Sequence, residues 1–240
     1  MNTDSHEILV GGVPVEVVRK RIKNLHLGVY PPEGRVRVAA PLVLSEEAVR
    51  LAVVARLGWI KQQRAKFVAQ ERQSAREYVS GKCHFFKGRR YRLSVIETGQ
   101  RSKVSLRGSE SIDLTIKPGA DRATRESALQ RWYRKELKAC AAPLVEKWAQ
   151  RAGLPVPDFR IKRMKTKWGT CSPTHRRIWL NLELIKKPPA CLEYIVVHEL
   201  IHLLERQHNG AFVAHMDRLL PGWRSIRQEL NAQPLAHEEW

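Results

Sequence analysis

Apolar residues first alternate along the chain, then recur at helical spacing, and the switches between the two patterns outline its elements. From Ile8 to Val38 the alternation of Val13, Val15 and Val17, then of Val36 and Val38 after the turn signal PPEGR, predicts two or three short strands in a meander. Ser45 begins a helix, with Glu46 and Glu47 in a first turn where an N-cap hydroxyl and negative charge are favoured. Its inward stripe is Val49, Ala52, Val53 and Leu57. Gly58 is the expected interruption, and Trp59, Ile60, Phe67 and Val68 continue the pattern to the region of Arg76. Tyr78–Lys117 returns to alternation: a turn at Lys87–Gly88, then Tyr91, Leu93 and Val95, then Val104 and Leu106, then Ile112, Leu114 and Ile116.

The remainder changes character. Leu129, Trp132, Tyr133, Leu137, Leu144, Val145 and Trp148 predict a long helix over Asp121–Ala152, with Pro143 as a kink and Gly153 as its end. Phe159–Met164 reads as a strand and Lys165–Arg177 as a loop or tight hairpin. Ile178, Leu180, Leu182 and Leu184 share one face of a strand over Ile178–Leu184. Pro188–Pro189 opens a further helix, where a missing N–H costs little. Phe212–Leu220 and Trp223–Leu230 predict two more, and the tail to Trp240 is expected to be loose. The fold class is α+β: a β-rich N-terminal region with one helix over residues 1–118, and a second domain over residues 119–240. No internal repeat is visible.

The candidate chemistry lies in EYIVVHELIHLLERQHN, Glu193–Asn209. His198 and His202 are one helical turn apart on one face, so two imidazoles can share a zinc ion. Glu199 is then placed as general base toward a water at the metal. Ile195, Val196, Val197, Leu200, Ile201, Leu203 and Leu204 make the helix apolar nearly all round, which predicts burial and demands partners for the polar groups. His208, just before the expected helix stop at Asn209–Gly210, is a third ligand. The spacing is that of metzincins, but Glu205 stands where they have glycine.

Charge adds an alternative. The net charge is +19, with thirteen Lys or Arg against three Glu between Lys61 and Arg107, and nine against one between Arg160 and Lys187. Such a surface attracts nucleic acid, nucleotides or acidic proteins. No apolar run reaches membrane-spanning length and no signal peptide opens the chain, so a cytoplasmic protein with no membrane partner is expected. The four cysteines show no C-x-x-C spacing. Cys171 leaves open a papain-like Cys–His pair, which would strand the HELIH spacing without a purpose.

MKTKWGTCS, the strand IWLNLELI and VVHELIHLLERQHNGAF together resemble the YgjP-like metallopeptidase family. The resemblance runs upstream through WIKQQ and GRRYRL and so covers nearly the whole chain. HELxH with a following HxxxF is shared with SprT-like and WLM-type zinc peptidases, whereas the W-G-[ST]-C segment is more particular to this family. The resemblance implies a zincin-like C-terminal domain with a small sheet beside the metal helix. In such domains an edge strand receives the substrate peptide, here Ile178–Leu184.

The leading expectation is therefore Zn²⁺-dependent peptide hydrolysis, with His198, His202 and His208 as ligands and Glu199 as base. Lys165, Lys167 and His175 are candidates to stabilise the oxyanion. Two rivals stay open: a nucleotide or phosphate-ester hydrolase with Lys165, Lys167, Arg176 and Arg177 as phosphate clamp, and a nucleic-acid-binding module with a structural metal.

Overall fold

The computed structural model describes residues 5–30, 34–69, 78–164 and 166–232, with the backbone alone for 66–69. By contacts the chain divides into two compact units, Met1–Arg72 and Gln73–Glu238.

The first unit holds β1 (Ser5–Val10), β2 (Val13–Lys20), β3 (His26–Tyr30), β4 (Arg35–Pro41), α1 (Glu46–Val54) and α2 (Leu57–Ala69). Four strands form where two or three were expected. Their order is β1-β2-β4-β3, with β2 and β4 parallel and the outer pairs antiparallel. Val13, Val15 and Val17 meet Val36 and Val38 on the inner face, covered by Val49 and Val53 of α1 and Ile60 of α2. Ser45 caps α1 by accepting from the Ala48 N–H at 3.2 Å. The helical stretch breaks before Gly58, not at it. The Arg56 N–H turns back to the Val53 carbonyl at 3.0 Å, a tight closing turn, and Gly58 lies inside α2. The side chains of Phe67 and Val68 lie outside the described residues.

The second unit opens with β5 (Cys83–Phe86), β6 (Arg89–Glu97), β7 (Lys103–Arg107) and β8 (Ser111–Ile116), in the order β5-β6-β8-β7. β6 and β8 are parallel and the outer pairs antiparallel, as in the first sheet. A capped helix follows each sheet: α1 behind Ser45, and α3 (Arg122–Arg151) behind Asp121, which accepts from the Thr124 N–H at 2.8 Å. The chain thus carries a topological repeat that the sequence conceals. Ladder bonds belong to the backbone, and VPVEVVRK and RRYRLSVIE need share only an inward apolar alternation to make the same sheet.

α3 runs unbroken through Pro143. The proline and Ala139, whose carbonyl it leaves unpaired, both lie on the exposed face, where water can serve that carbonyl. Gly153, at φ 69°, terminates the helix as expected. Next come β9 (Asp158–Lys162), β10 (Gly169–Ser172) and β11 (Arg177–Asn181), then a 3₁₀ turn (Leu182–Lys186), α4 (Pro189–Ile201), α5 (Gly210–Leu219) and α6 (Trp223–Ala232). Leu93, Ile112, Leu114 and Ile116 of the β5–β8 sheet share one core with Leu129 and Leu137 of α3 and Val196 and Val197 of α4. Residues 78–118 therefore pack with the helices that follow them, and the contacts thin out well before the 118/119 boundary expected from the sequence.

The strand expected to reach Leu184 stops at Asn181. There the side-chain amide donates to the carbonyls of Met164 and Lys167 at 2.9 and 2.8 Å, and its oxygen accepts from the Glu183 N–H at 3.2 Å. All five residues of the 3₁₀ turn are buried, Glu183 included, with Lys186 Nζ 2.7 Å from its carboxylate. The leucine alternation beyond Asn181 therefore does not mark a strand with one wet face. β11 lies between β10 and β9, so both its edges are occupied; among the described residues the outer strands β10 and β9 carry the sheet's free edges, and of the two β10 lines a cleft. No helix among the described residues is long and apolar enough to cross a membrane. The expected loose tail lies outside them from residue 233 onward.

Candidate metal centre

Pro189 at the first helical position and an apolar surface on every side fix α4 in the core: Cys191, Leu192, Ile195, Val196, Val197, Leu200 and Ile201 are all buried. The helix does not continue to Asn209–Gly210. It ends at Ile201 with His202 as C-cap, and the N–H groups of Leu203 and Leu204 fold back to the carbonyls of Leu200 and Ile201 at 3.0 and 2.8 Å. Asn209 starts the next helix instead, its side chain accepting from the Phe212 N–H at 3.0 Å. An Asn-Gly pair serves a helix start as readily as a stop, and periodicity alone does not distinguish them.

This early stop lets the chain return. His208 Nε2 lies 3.1 Å and His202 Nε2 3.2 Å from His198 Nε2, and the three ligand atoms all lie within 4.8 Å of one another. His202 Nδ1 faces the Glu205 carbonyl at 3.0 Å. A carbonyl only accepts, so Nδ1 carries a proton and Nε2 is the nitrogen that faces the cluster. Burial, with His202, His208 and Arg227 nearby, pushes His198 down to about 3, so its imidazole is neutral. Its Nδ1 is buried and has no hydrogen-bond partner among the described residues. Phe212 floors the group, its ring centroid 5.0, 4.9 and 4.7 Å from those of His198, His202 and His208. Three convergent imidazoles fit a borderline divalent cation such as zinc. Among the described residues no fourth Cys, His or carboxylate joins them.

Glu199 sits beside the cluster and is 4% exposed. Burial pushes its carboxyl up to about 8, and Lys167 opposes the shift; a cation held by the histidines would act in the same direction as Lys167. Its Oε2 is buried and has no hydrogen-bond partner among the described residues. Across from it is Gly169, where an added Cβ would stand 2.5 Å from Glu199 Oε1. The W-G-T-C segment therefore has its glycine for close approach, and not for a left-handed turn, since Gly169 is absent from the positive-φ glycines. Trp168, half-buried, lies under the Lys187 ammonium at 5.3 Å.

The three histidines, Glu199, Trp168 and Gly169 line a cleft of about 600 Å³. Lys167 is in its wall. His175 is not among the lining residues; its Nδ1 lies 3.0 Å from Ser172 Oγ. Arg176 and Arg177 do not line it either, and Arg177 is tied to Asp158 at 2.6 Å. Lys165 lies outside the described residues. Cys171 lines the cleft, but burial and the Glu199 charge push it up to about 11, which keeps the sulfur a thiol and ill suited to a Cys–His pair.

One lining residue escaped the sequence reading. Tyr194 stands one turn before His198 on the same face of α4, its ring 5.8 Å from that of His198 and stacked on Trp223 at 6.2 Å. Its hydroxyl has no hydrogen-bond partner among the described residues. The i, i+4 spacing that pairs the histidines extends back to it and was the available signal.

Among known proteins, the crystal structure of the metallopeptidase zymogen of Pyrococcus abyssi abylysin is similar over 38% of this chain and 90% of that one, at 23% identity and a TM-score of 0.36. No curated protein matches the chain. The family model described as YgjP-like, metallopeptidase domain, matches residues 23–233, which include all three histidines and Glu199. A match over nearly the whole length places the chain in the YgjP-like metallopeptidase family.

Proposed function

We propose that this protein is a zinc-dependent peptidase. The observation that carries the reading is the convergence of three imidazole nitrogens beside one buried carboxylate in an open cleft. His198, His202 and His208 hold the metal and leave a position for substrate. When bound, zinc supplies a Lewis acid that polarises the scissile carbonyl and makes water more acidic. Glu199 takes a proton from the attacking water at its carboxylate and delivers it to the leaving amine nitrogen. Tyr194, which lines the cleft, donates from its hydroxyl to the oxygen that gains charge, with Lys167 as a second source of positive potential.

Substrate lies along β10 in this reading. Gly169, Thr170 and Cys171 line the cleft, and β10 pairs on one side only, with β11. An extended peptide added there gains main-chain bonds with little demand on its sequence. Four free cysteines accord with a cytoplasmic location.

A phosphate-ester substrate is the second reading, favoured by the cations in the cleft wall, Lys167, Arg206 and Arg227. The clamp drawn from the sequence does not support it, because Arg176 and Arg177 lie off the cleft. A structural metal in a nucleic-acid-binding module would call for a closed site of four ligands. The test is hydrolysis of an unstructured protein and, in parallel, of nucleoside triphosphates, before and after chelation and after zinc is restored. Chelator-sensitive, zinc-restored proteolysis supports the reading; triphosphate hydrolysis without proteolysis rejects it.

A further inference from the structure

The cleft carries charge that the hydrolytic mechanism leaves largely unused. Lys167 enters from the segment before β10, Arg206 from the loop that returns His208, and Arg227 from α6. Against these three cations the lining holds one acid, the nearly buried Glu199. None of the three makes an ion pair among the described residues. On the same helix, by contrast, Arg224 is tied down by Asp217.

Arg227 is also connected to the metal centre through packed rings. Its guanidinium lies 5.9 Å from the Trp223 ring, Trp223 stacks on Tyr194, and Tyr194 meets His198 edge-on. From the segment before β10, Lys167 is near enough to act on Glu199. The cleft around the reacting bond thus carries a net excess of positive charge contributed by three separate segments, before the charge of a metal is added. Apolar walls focus such a field, which attracts anionic groups and repels cationic ones.

We infer that the cleft selects polypeptides carrying Asp or Glu next to the scissile bond, with Arg227, Arg206 and Lys167 as the specificity-determining residues. The inference rests on the peptidase reading and specifies its substrate class. A neutral flank gains nothing from these cations, and a Lys or Arg flank is disfavoured, so discrimination comes from repulsion as well as attraction.

The experiment uses the full-length, zinc-loaded protein and three peptides identical except for Glu, Gln or Lys on either side of one bond. kcat/KM is measured for each at low and high salt, in wild type, Arg227→Glu and Lys167→Glu, with zinc content and circular dichroism recorded for every variant. The expected order is Glu above Gln above Lys, with about tenfold or more between the extremes. The spread should narrow in high salt, where exposed charges are screened. In zinc-replete, folded Arg227→Glu the Glu-to-Lys ratio should fall toward or below unity. Equal cleavage of all three peptides, or a ratio that neither charge reversal moves, overturns the selection while leaving the peptidase reading intact. Failure to cleave any of them, with hydrolysis of a nucleoside triphosphate instead, overturns both.

Discussion

Gly169 and Glu199 approach so closely that no side chain fits between them: a Cβ on the glycine would lie 2.5 Å from Oε1 and 2.8 Å from Cγ of the glutamate. The contact joins β10 to α4 and limits the room left for the carboxylate. Gly169→Ala should therefore displace Glu199 while leaving the ligands in place. Misplacing a reacting group by about 1 Å costs about 10²-fold in rate, so kcat/KM should drop by about that factor with zinc retained. Peptide kinetics beside elemental analysis checks this, and wild-type activity in the variant would show that the carboxylate has room to spare.

Tyr194→Phe keeps the ring that stacks on Trp223 and removes only the hydroxyl. If that hydroxyl stabilises the developing oxyanion, kcat should fall by about 10²–10³ with KM little changed. Steady-state kinetics separates the two parameters. An unchanged kcat would assign the role to Lys167 or to backbone donors of β10.

Asn209 links stability to the metal. It caps α5, which carries Phe212 beneath the imidazoles, and it follows His208 directly. Asn209→Ala should cost about 1 kcal/mol. For a chain of this size that is a fall of about 2–4 °C in Tm. Zinc should also be lost to a competing chelator at lower concentration, because His208 is no longer anchored. A lowered Tm with unaltered zinc affinity would mean the cap supports the helix alone.

Much of this site is written locally in the chain. His198, Glu199 and His202 follow from helical spacing, and the burial of α4 follows from its unbroken apolar surface. What escaped depends on tertiary neighbours. The helix ends at His202 because the chain turns there to bring His208 back, a choice that Asn209–Gly210 leaves open in one dimension. The end of β11 at Asn181 depends on carbonyls of Met164 and Lys167, which only the fold supplies. β11 is the central strand of the small sheet and β10 an outer one because strand order is a property of pairing and not of alternation. The repeated sheet topology stayed hidden for the same reason. Tyr194 is not legible in the sequence because an aromatic on an apolar helix reads as core, and only the fold shows it lining a cleft.

The central claim, that Glu199 moves the proton while the histidines hold the metal, is tested most directly by Glu199→Gln. The amide nearly preserves shape, so packing around this buried position should hold, but it cannot accept a proton from water. Zinc content and peptide hydrolysis are measured on the same preparations of wild type and variant. The account predicts equal, near-stoichiometric zinc and a loss of about 10²–10⁴-fold in kcat. Full activity with zinc retained would contradict it, and so would loss of zinc, which would make Glu199 part of the metal's support.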